Sequence, residues 1–235
     1  MKNIQLLLLL FVSVTAAAQY IPPKDTAIVK DSLIAGREYW TIHNMNGNRI
    51  SAGAIQNGKK DGVWREYNDQ GTLSKVIEYK MGLKNGVYNE FNSNGLMSID
   101  ESYRNDTLEG DRVVMSEFGR PRIKEHYKHG QLEGERKYFY DDNKVKEESY
   151  WKNGQKDGAA KWYYGNGKLS IEYNYSNGNL SGPAKIYSEE GVVLNEGTFV
   201  SNNEEGEWKE YDKSGKLIKR KIYKAGVVVK EITVK

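Results

Sequence analysis

The chain has 235 residues, no cysteine, and a formal net charge of +3 from 35 Lys and Arg against 32 Asp and Glu. The lack of cysteine excludes disulfides, thiolate metal sites and a lipid-bearing cysteine. The basic residues are dispersed along the chain. Because nucleic-acid binding requires a clustered basic surface, no nucleic-acid partner is predicted.

The chain begins with the pattern of a secretory signal peptide over residues 1–18. Lys2 supplies the positive start, residues 4–14 are almost entirely apolar, and three alanines ending at Ala18 form a small-residue cleavage site. The apolar run is too short to span about 30 Å of hydrocarbon. We therefore expect cleavage between Ala18 and Gln19, and a mature chain that is exported to the periplasm or the exterior.

Two segments precede the regular part of the chain. Residues 19–32 contain the pair Pro22-Pro23 and are expected to form a linker. Residues 33–56 carry Trp40 and Gly47 on the 24-residue grid described next, which predicts a degenerate first unit.

Glycine then recurs every 24 residues, which is the signature of a tandem repeat. The leading glycines are Gly62, Gly86, Gly110, Gly134, Gly158, Gly182 and Gly206. Two further columns keep the same period and hold only Gly, Asn or Asp, the residues that most readily adopt positive φ. One column begins at Gly58 and the other at Gly71. These columns predict two chain reversals in every unit.

Two reversals in 24 residues leave two extended segments of ordinary strand length. One is predicted to run from the leading glycine to an aromatic residue, as in Gly62 to Tyr67, and the other over 73–79. Asn57-Gly58 is a dipeptide typical of tight hairpins. A helical solenoid is disfavoured because three glycine positions in each cycle leave no useful uninterrupted helix.

The predicted fold is therefore all-β. It is an elongated antiparallel meander of tandem 24-residue β-hairpins in a single twisted sheet of some sixteen strands. Seven units cover about 50–219, and a capping half unit covers 220–235, in which the apolar residues from Val227 to Val234 form a closing strand. Trp64 and Tyr67 are three residues apart, so either a bulge separates them or both faces of the sheet carry aromatic residues.

The repeated string resembles a known family. It reads Gly62-x-Trp64-x-x-Tyr67, then Gly71-x-Leu73 and Tyr79-x-x-Gly82, and it returns over 206–226. This is similar to the MORN-repeat variant of bacterial YwqK-family antitoxin-like proteins. The resemblance covers about 38–226. It implies an elongated scaffold of hairpins that binds other proteins, and a toxin-like partner that acts outside the inner membrane.

The third unit departs from the family pattern and is expected to be irregular or kinked. Arg112 replaces the tryptophan, and Met115, Pro121 and Asp106 stand where an aromatic residue, an aliphatic residue and glycine are usual.

The recurring aromatic residues have two interpretations. Recurring apolar columns chiefly form the core that stacks one repeat on the next, but a flat Tyr-rich sheet face also suits contacts with another protein. The candidate binding surface comprises Tyr67, Phe91, Phe139, Tyr163, Tyr187 and Tyr211, together with Trp64, Trp162 and Trp208.

The sequence predicts a protein without catalytic, metal or cofactor residues. Its three histidines, His43, His126 and His129, are too few and too dispersed to form a metal site. Asp141-Asp142-Asn143 is expected in a turn and lacks the ligands that calcium requires. The repeats also leave no chain for a separate catalytic domain.

The leading hypothesis is an exported, non-catalytic scaffold for protein–protein interaction. The alternative is a carbohydrate- or cell-wall-binding module, suggested by the aromatic hairpin over 161–167, which looks like a fragment of choline-binding repeats. Those repeats use recurring tryptophans to hold a cation, and this chain has only five tryptophans, in different columns. Binding to a membrane surface is disfavoured because no polybasic element is present.

Overall fold

The computed structural model describes residues 25–234, and within that range every regular element is a strand. The predicted signal peptide and its Ala18–Gln19 cleavage site lie outside the described residues. In chain order the strands are β1 Thr26–Lys30, β2 Arg37–His43, β3 Arg49–Gln56, β4 Lys59–Tyr67, β5 Leu73–Lys80, β6 Leu83–Phe91, β7 Met97–Arg104, β8 Thr107–Met115, β9 Pro121–Lys128, β10 Gln131–Leu132, β11 Gly134–Phe139, β12 Val145–Lys152, β13 Gln155–Tyr163, β14 Leu169–Ser176, β15 Asn179–Leu180, β16 Gly182–Tyr187, β17 Val193–Val200, β18 Asn203–Tyr211, β19 Leu217–Lys224 and β20 Val227–Thr233.

The strands form one open antiparallel meander, which confirms the predicted fold class. Each strand pairs with its neighbours in the chain, from β1–β2 to β19–β20. The short strand β10 and its continuation β11 both pair with β9, so together they occupy one position in the sheet. The same holds for β15 and β16 against β14.

Part of the predicted linker is a strand. Residues 26–30 form β1, whose pairing with β2 places Ile28 opposite Trp40. The expectation of a linker through residue 32 was therefore wrong for this stretch. Its run of Thr, Ile and Val favours an extended backbone, and β2 offers that backbone an open edge with which to pair.

The column that begins at Gly58 forms the two-residue hairpin turns, as predicted. Asn57 has φ of 50° and Gly58 has φ of 74°, the pair of positive values that a type I′ turn requires. The same geometry recurs in every hairpin of this row. It includes Met81, which has φ of 55°, an unusual value for a residue of its kind.

The column that begins at Gly71 closes the longer turns on the opposite edge. In the first of them the Gly71 amide donates to the Asn68 carbonyl at 2.9 Å, and Gly71 has φ of 79°. The Asn68 side chain stabilises the same turn by accepting from the Thr72 amide at 2.9 Å. Side chains also join neighbouring turns, as where Asn48 donates to the carbonyl of Asp69.

Gly134 and Gly182 begin β11 and β16, as predicted. The other five leading glycines lie inside strands, which corrects the predicted strand starts there. β4 begins at Lys59 rather than at Gly62. Gly62 has φ of 71°, and the register with β3 passes from Ala52–Arg65 to Ala54–Asp61, so that three residues face Gly53 alone. This β-bulge, with three residues opposite one, recurs in later units. In the first unit it brings Trp64 over Gly53 of the neighbouring strand.

The third unit is regular, contrary to expectation. β8 pairs with β7 and β9 in the same bulged register that its neighbours use, and Met115 lies opposite Pro121 as Phe91 lies opposite Met97. The unit keeps its geometry because Arg112, in the tryptophan position, is bonded to glutamates of both neighbouring strands.

Candidate binding surface

The sheet has two faces with different chemistry. Residues directly opposite each other in an antiparallel pair share a face. The face that carries Trp40, Ile42, Ile55 and Trp64 is called the core face, because these four side chains form a buried cluster. The other face carries Arg65, Tyr67 and the residues in register with them, and is called the charged face.

The core face is built on pairs of residues that the bulge brings together. Trp64 is 0% exposed and covers Gly53, on which a Cβ would lie 2.4 Å from the Trp64 Cδ2 atom. Its indole nitrogen donates to the Ala54 carbonyl at 2.8 Å. Gly197 and Trp208 repeat this arrangement near the other end of the sheet. In these two units the tryptophan therefore requires glycine on the neighbouring strand.

Aromatic rings continue the core face through the C-terminal units. Successive rings meet edge to face with centroids 5.1–6.1 Å apart, in the order Trp162, Tyr173, Phe199, Trp208 and Tyr223. Such contacts stabilise the packing beyond the burial of their area. These rings stack one repeat on the next.

Lys156 lies among three aromatic rings that include Trp162, a residue of the hairpin over 161–167. The Lys156 ammonium lies 5.0 Å from the ring centroid of Trp162, 5.2 Å from that of Tyr175 and 5.8 Å from that of Trp151. Glu147 lies 3.4 Å from the same nitrogen. The cation–π interaction of this group of rings is therefore made within the protein.

The middle of the core face is polar and buried. Arg112 bonds Glu101 at 2.7 Å and Glu125 at 2.9 Å, and Arg136 bonds Glu125 at 2.7 Å. The two glutamates are only 7% and 5% exposed. Tyr103 donates to Glu101 at 2.8 Å, and burial together with this carboxylate raises the pKa of Tyr103.

The charged face carries an alternating row of lysines and glutamates, here called the charge ladder. Each member lies directly opposite the next across adjacent strands, in the order Lys137, Glu148, Lys161, Glu172, Lys185, Glu196 and Lys209. Lys161 with Glu148 and Glu172, and Glu196 with Lys185 and Lys209, have ammonium–carboxylate distances of 3.5–3.9 Å. In the sequence these basic residues look only dispersed along the chain. Lysine at 137, 161, 185 and 209 shows the same 24-residue period as the glycines and could have revealed the ladder.

The aromatic column of the candidate surface lies on the charged face, and its members from Phe139 to Tyr211 lie beside the charge ladder. Its six predicted members are all half-buried. Tyr163 donates to Glu148 at 2.6 Å and Tyr211 to Glu196 at 2.7 Å. Burial and the Glu148 carboxylate raise the pKa of Tyr163, while the Tyr211 hydroxyl holds the pKa of Glu196 below its ordinary value.

The tryptophans of the candidate surface are on the opposite face from this column. Trp64 has no exposed area, so its assignment to a binding surface was wrong: the bulge places it in the core. Trp162 and Trp208 are half-buried members of the aromatic stack on the core face. The nine candidates therefore do not form one surface, and both faces carry aromatic residues.

Four segments match the MORN repeat variant. They cover residues 60–81, 132–153, 156–177 and 204–225, and each begins at the same phase of the 24-residue cycle. Repeats of this family are commonly binding modules and are generally non-catalytic. No curated protein matches the chain.

The MORN-variant segments share their backbone geometry with the intervening units. The third unit, which carries Arg112, is among those outside the matched segments, although its strand register is the same. Residue types at the buried positions therefore differ from unit to unit while the hairpin geometry is kept.

The described part of the chain contains no cluster of three or more His, Asp or Glu side chains that could hold a metal. His126 lies 2.7 Å from Asp111, on the charged face, and this pair is exposed. Over residues 25–234 there is also no helix with the length and apolar character needed to cross a membrane.

Proposed function

We propose that this protein is an exported, non-catalytic scaffold that binds another polypeptide through the charged face of its sheet. The observation that carries the proposal is the position of the half-buried Tyr and Phe column directly beside the charge ladder. The two rows repeat in register over several units, from Phe139 to Tyr211 and from Lys137 to Lys209.

The chemistry of this face suits a protein partner. Aromatic side chains with polar ends are favoured at protein interfaces, where the ring is buried and the hydroxyl keeps a hydrogen bond. Tyr163 and Tyr211 already hold their hydroxyls in place through Glu148 and Glu196. A partner would therefore meet side chains whose conformations are restricted in advance, which lowers the entropic cost of binding.

The cell envelope is the proposed location of the partner. The signal-peptide pattern of residues 1–18 supports export. The similarity of the repeats to the antitoxin-like proteins supports a partner that is neutralised by binding. For an exported scaffold, such a toxin-like partner acts outside the inner membrane.

The experiment is affinity capture from an envelope extract with the tagged mature chain. Lys161→Glu places three acidic residues in succession on the charge ladder and is expected to abolish capture of a specific polypeptide. Lys219→Glu reverses a charge on the core face and is expected to leave capture intact. Thermal melts of both variants verify that they fold.

Two outcomes contradict the proposal. One is that no polypeptide is captured reproducibly; the other is that both variants capture the same polypeptide equally well. Sedimentation of the mature chain with purified peptidoglycan tests the carbohydrate alternative. If the chain pellets with peptidoglycan and captures no polypeptide from the extract, that alternative is supported instead.

A further inference from the structure

The charge ladder is interrupted at one end by two adjacent lysines. Lys124 of β9 lies directly opposite Lys137 of β11. The same two columns hold opposite charges in each later pair, such as Glu148–Lys161 and Glu172–Lys185. Like charges directly opposite each other destabilise a sheet, so this pair needs a physical account.

The ammonium group of Lys124 has no ion-pair partner within 4.0 Å among residues 25–234. Lys137 is bonded to Glu135 at 2.7 Å. The nearest aromatic ring to the Lys124 nitrogen is that of Phe139, with its centroid at 5.8 Å. Lys137 also lies directly opposite Glu148, so Lys124 is the member of this pair without an ion-pair partner among the described residues.

A concavity of about 810 Å³ opens at the same place, lined in its apolar part by Val113, Phe139 and Val145. At the position of Val113, later units carry the longer side chains of Lys137 and Lys161. The Lys124 ammonium, which has no ion-pair partner among the described residues, therefore lies next to an accessible apolar surface.

The acidic residues of the concavity already have partners. Asp111 lies 2.7 Å from the Nδ1 atom of His126, and Glu133 accepts from the Asn153 amide at 2.9 Å. Both lie toward the end of the concavity away from Lys124, since His126 is two residues further along β9, about 7 Å. The other two carboxylates of the concavity are also bonded to cations, Glu125 to Arg112 and Arg136 and Glu135 to Lys137.

We propose that this concavity binds a segment of the partner polypeptide in which a carboxylate adjoins an apolar side chain. The carboxylate lies between Lys124 and Lys137, and the apolar side chain rests on Val113 and Phe139. The inference rests on the proposed function and specifies the chemistry of the partner. Binding relieves the repulsion between the two ammonium groups and buries apolar area on both sides.

The test is a panel of short immobilised synthetic peptides probed with the full mature chain. Each peptide with Leu or Phe next to Asp has matched versions with Asn or Lys in place of Asp. The chain is tested as the natural sequence, as Lys124→Glu, as Lys124→Gln, and as Lys219→Gln, a control on the opposite face. Thermal melts show whether each variant folds.

The natural sequence and Lys219→Gln are expected to bind the Asp peptides about tenfold more strongly than the Asn or Lys versions, because only the Asp carboxylate makes a charge-assisted hydrogen bond to Lys124. Lys124→Glu and Lys124→Gln are expected to lose that preference. Equal binding of all three peptide versions, or a preference that survives in folded Lys124→Glu, overturns the inference.

Failure of the proposed carboxylate site can be distinguished from failure of the proposed function. If the captured polypeptide is lost with Lys161→Glu but retained with Lys124→Glu, the proposed function stands and this site is wrong. If the natural sequence captures nothing, the proposed function itself fails, whatever the peptide panel shows.

Discussion

Trp64 lies so close over Gly53 that a Cβ on the glycine would be 2.4 Å from the Trp64 Cδ2 atom. Gly53→Ala is therefore expected to lower the free energy of unfolding by about 1–3 kcal/mol through overpacking. Urea denaturation followed by tryptophan fluorescence measures the change. Gly165→Ala is the control, because a Cβ there has no neighbour within 4 Å. Equal stability of the two variants would show that the indole moves aside without cost.

The buried ion pairs of the core face are expected to respond strongly to loss of one member. Glu125→Gln leaves Arg112 and Arg136 without their shared carboxylate and is expected to cost about 2–3 kcal/mol, reduced from the fully buried case because both arginines keep some solvent. Denaturant titration measures it.

The matched control for this prediction is the exposed pair Arg122–Asp141, which spans 3.0 Å. Arg122→Gln is expected to change stability by less than about 1 kcal/mol. A cost for Glu125→Gln no larger than that of the control would mean that the buried chain of charges contributes little.

The Tyr211–Glu196 hydrogen bond predicts a pH dependence. Because the hydroxyl lowers the pKa of Glu196 in the folded state below its ordinary value of 4.5, the unfolded state binds the proton more readily. This contribution to stability is present above about pH 4.5 and is lost as the pH falls through the lowered pKa. Tyr211→Phe is expected to reduce that acid dependence in thermal melts.

Tyr164→Phe provides the comparison, since the Tyr164 hydroxyl donates to the carbonyl of Tyr187 and not to a carboxylate. This variant is expected to keep the acid slope of the natural sequence. If Tyr211→Phe keeps it too, the hydrogen bond does not contribute to the pKa of Glu196.

Met81 occupies a turn position that its side chain disfavours. Its φ of 55° is one that asparagine adopts at lower cost, and Asn153 occupies the equivalent place in another hairpin with φ of 49°. Met81→Asn is expected to raise the free energy of unfolding by up to about 1 kcal/mol. The reciprocal Asn153→Met is expected to lower it by a similar amount. Chemical denaturation of both variants checks the sign, and a loss of stability with Met81→Asn would contradict it.

The charge ladder predicts that Lys124→Glu also stabilises the folded protein. The new carboxylate would face Lys137 as Glu148 faces Lys161, and cross-strand pairs of opposite charge contribute about 0.2–1 kcal/mol. The gain is expected to shrink in high salt, because exposed charges are screened. Melts at low and high salt measure it, and a destabilised variant would show that the two lysines do not repel.

Much of the architecture was predictable because its causes are local. Positive φ at the column of Gly58 and at that of Gly71 restricts those positions to Gly, Asn and a few tolerant residues, and such residues recur visibly in the sequence. The hairpins, their order and the all-β class follow from these positions. The strand starts were misjudged because Gly62, although also at positive φ, forms a bulge inside β4 and not a turn.

The binding surface was only half predictable. Tyr163, Tyr187 and Tyr211 do share a face, since their spacing is that of the repeat. Trp64 does not share it, because it lies three positions before Tyr67 in the same strand and alternation reverses its direction. Trp162 lies next to Tyr163 in β13 and so projects from the opposite face.

The amino-acid sequence by itself determined the period, the reversal points and the succession of hairpins, since each depends on the steric freedom of single residues. Only the tertiary structure decided which face each side chain occupies and which charges meet. Gly53 and Trp64, or Lys124 and Lys137, become neighbours only when a bulge sets the register between strands. That register depends on backbone pairing across the whole sheet and on side chains that must fit together in size and charge.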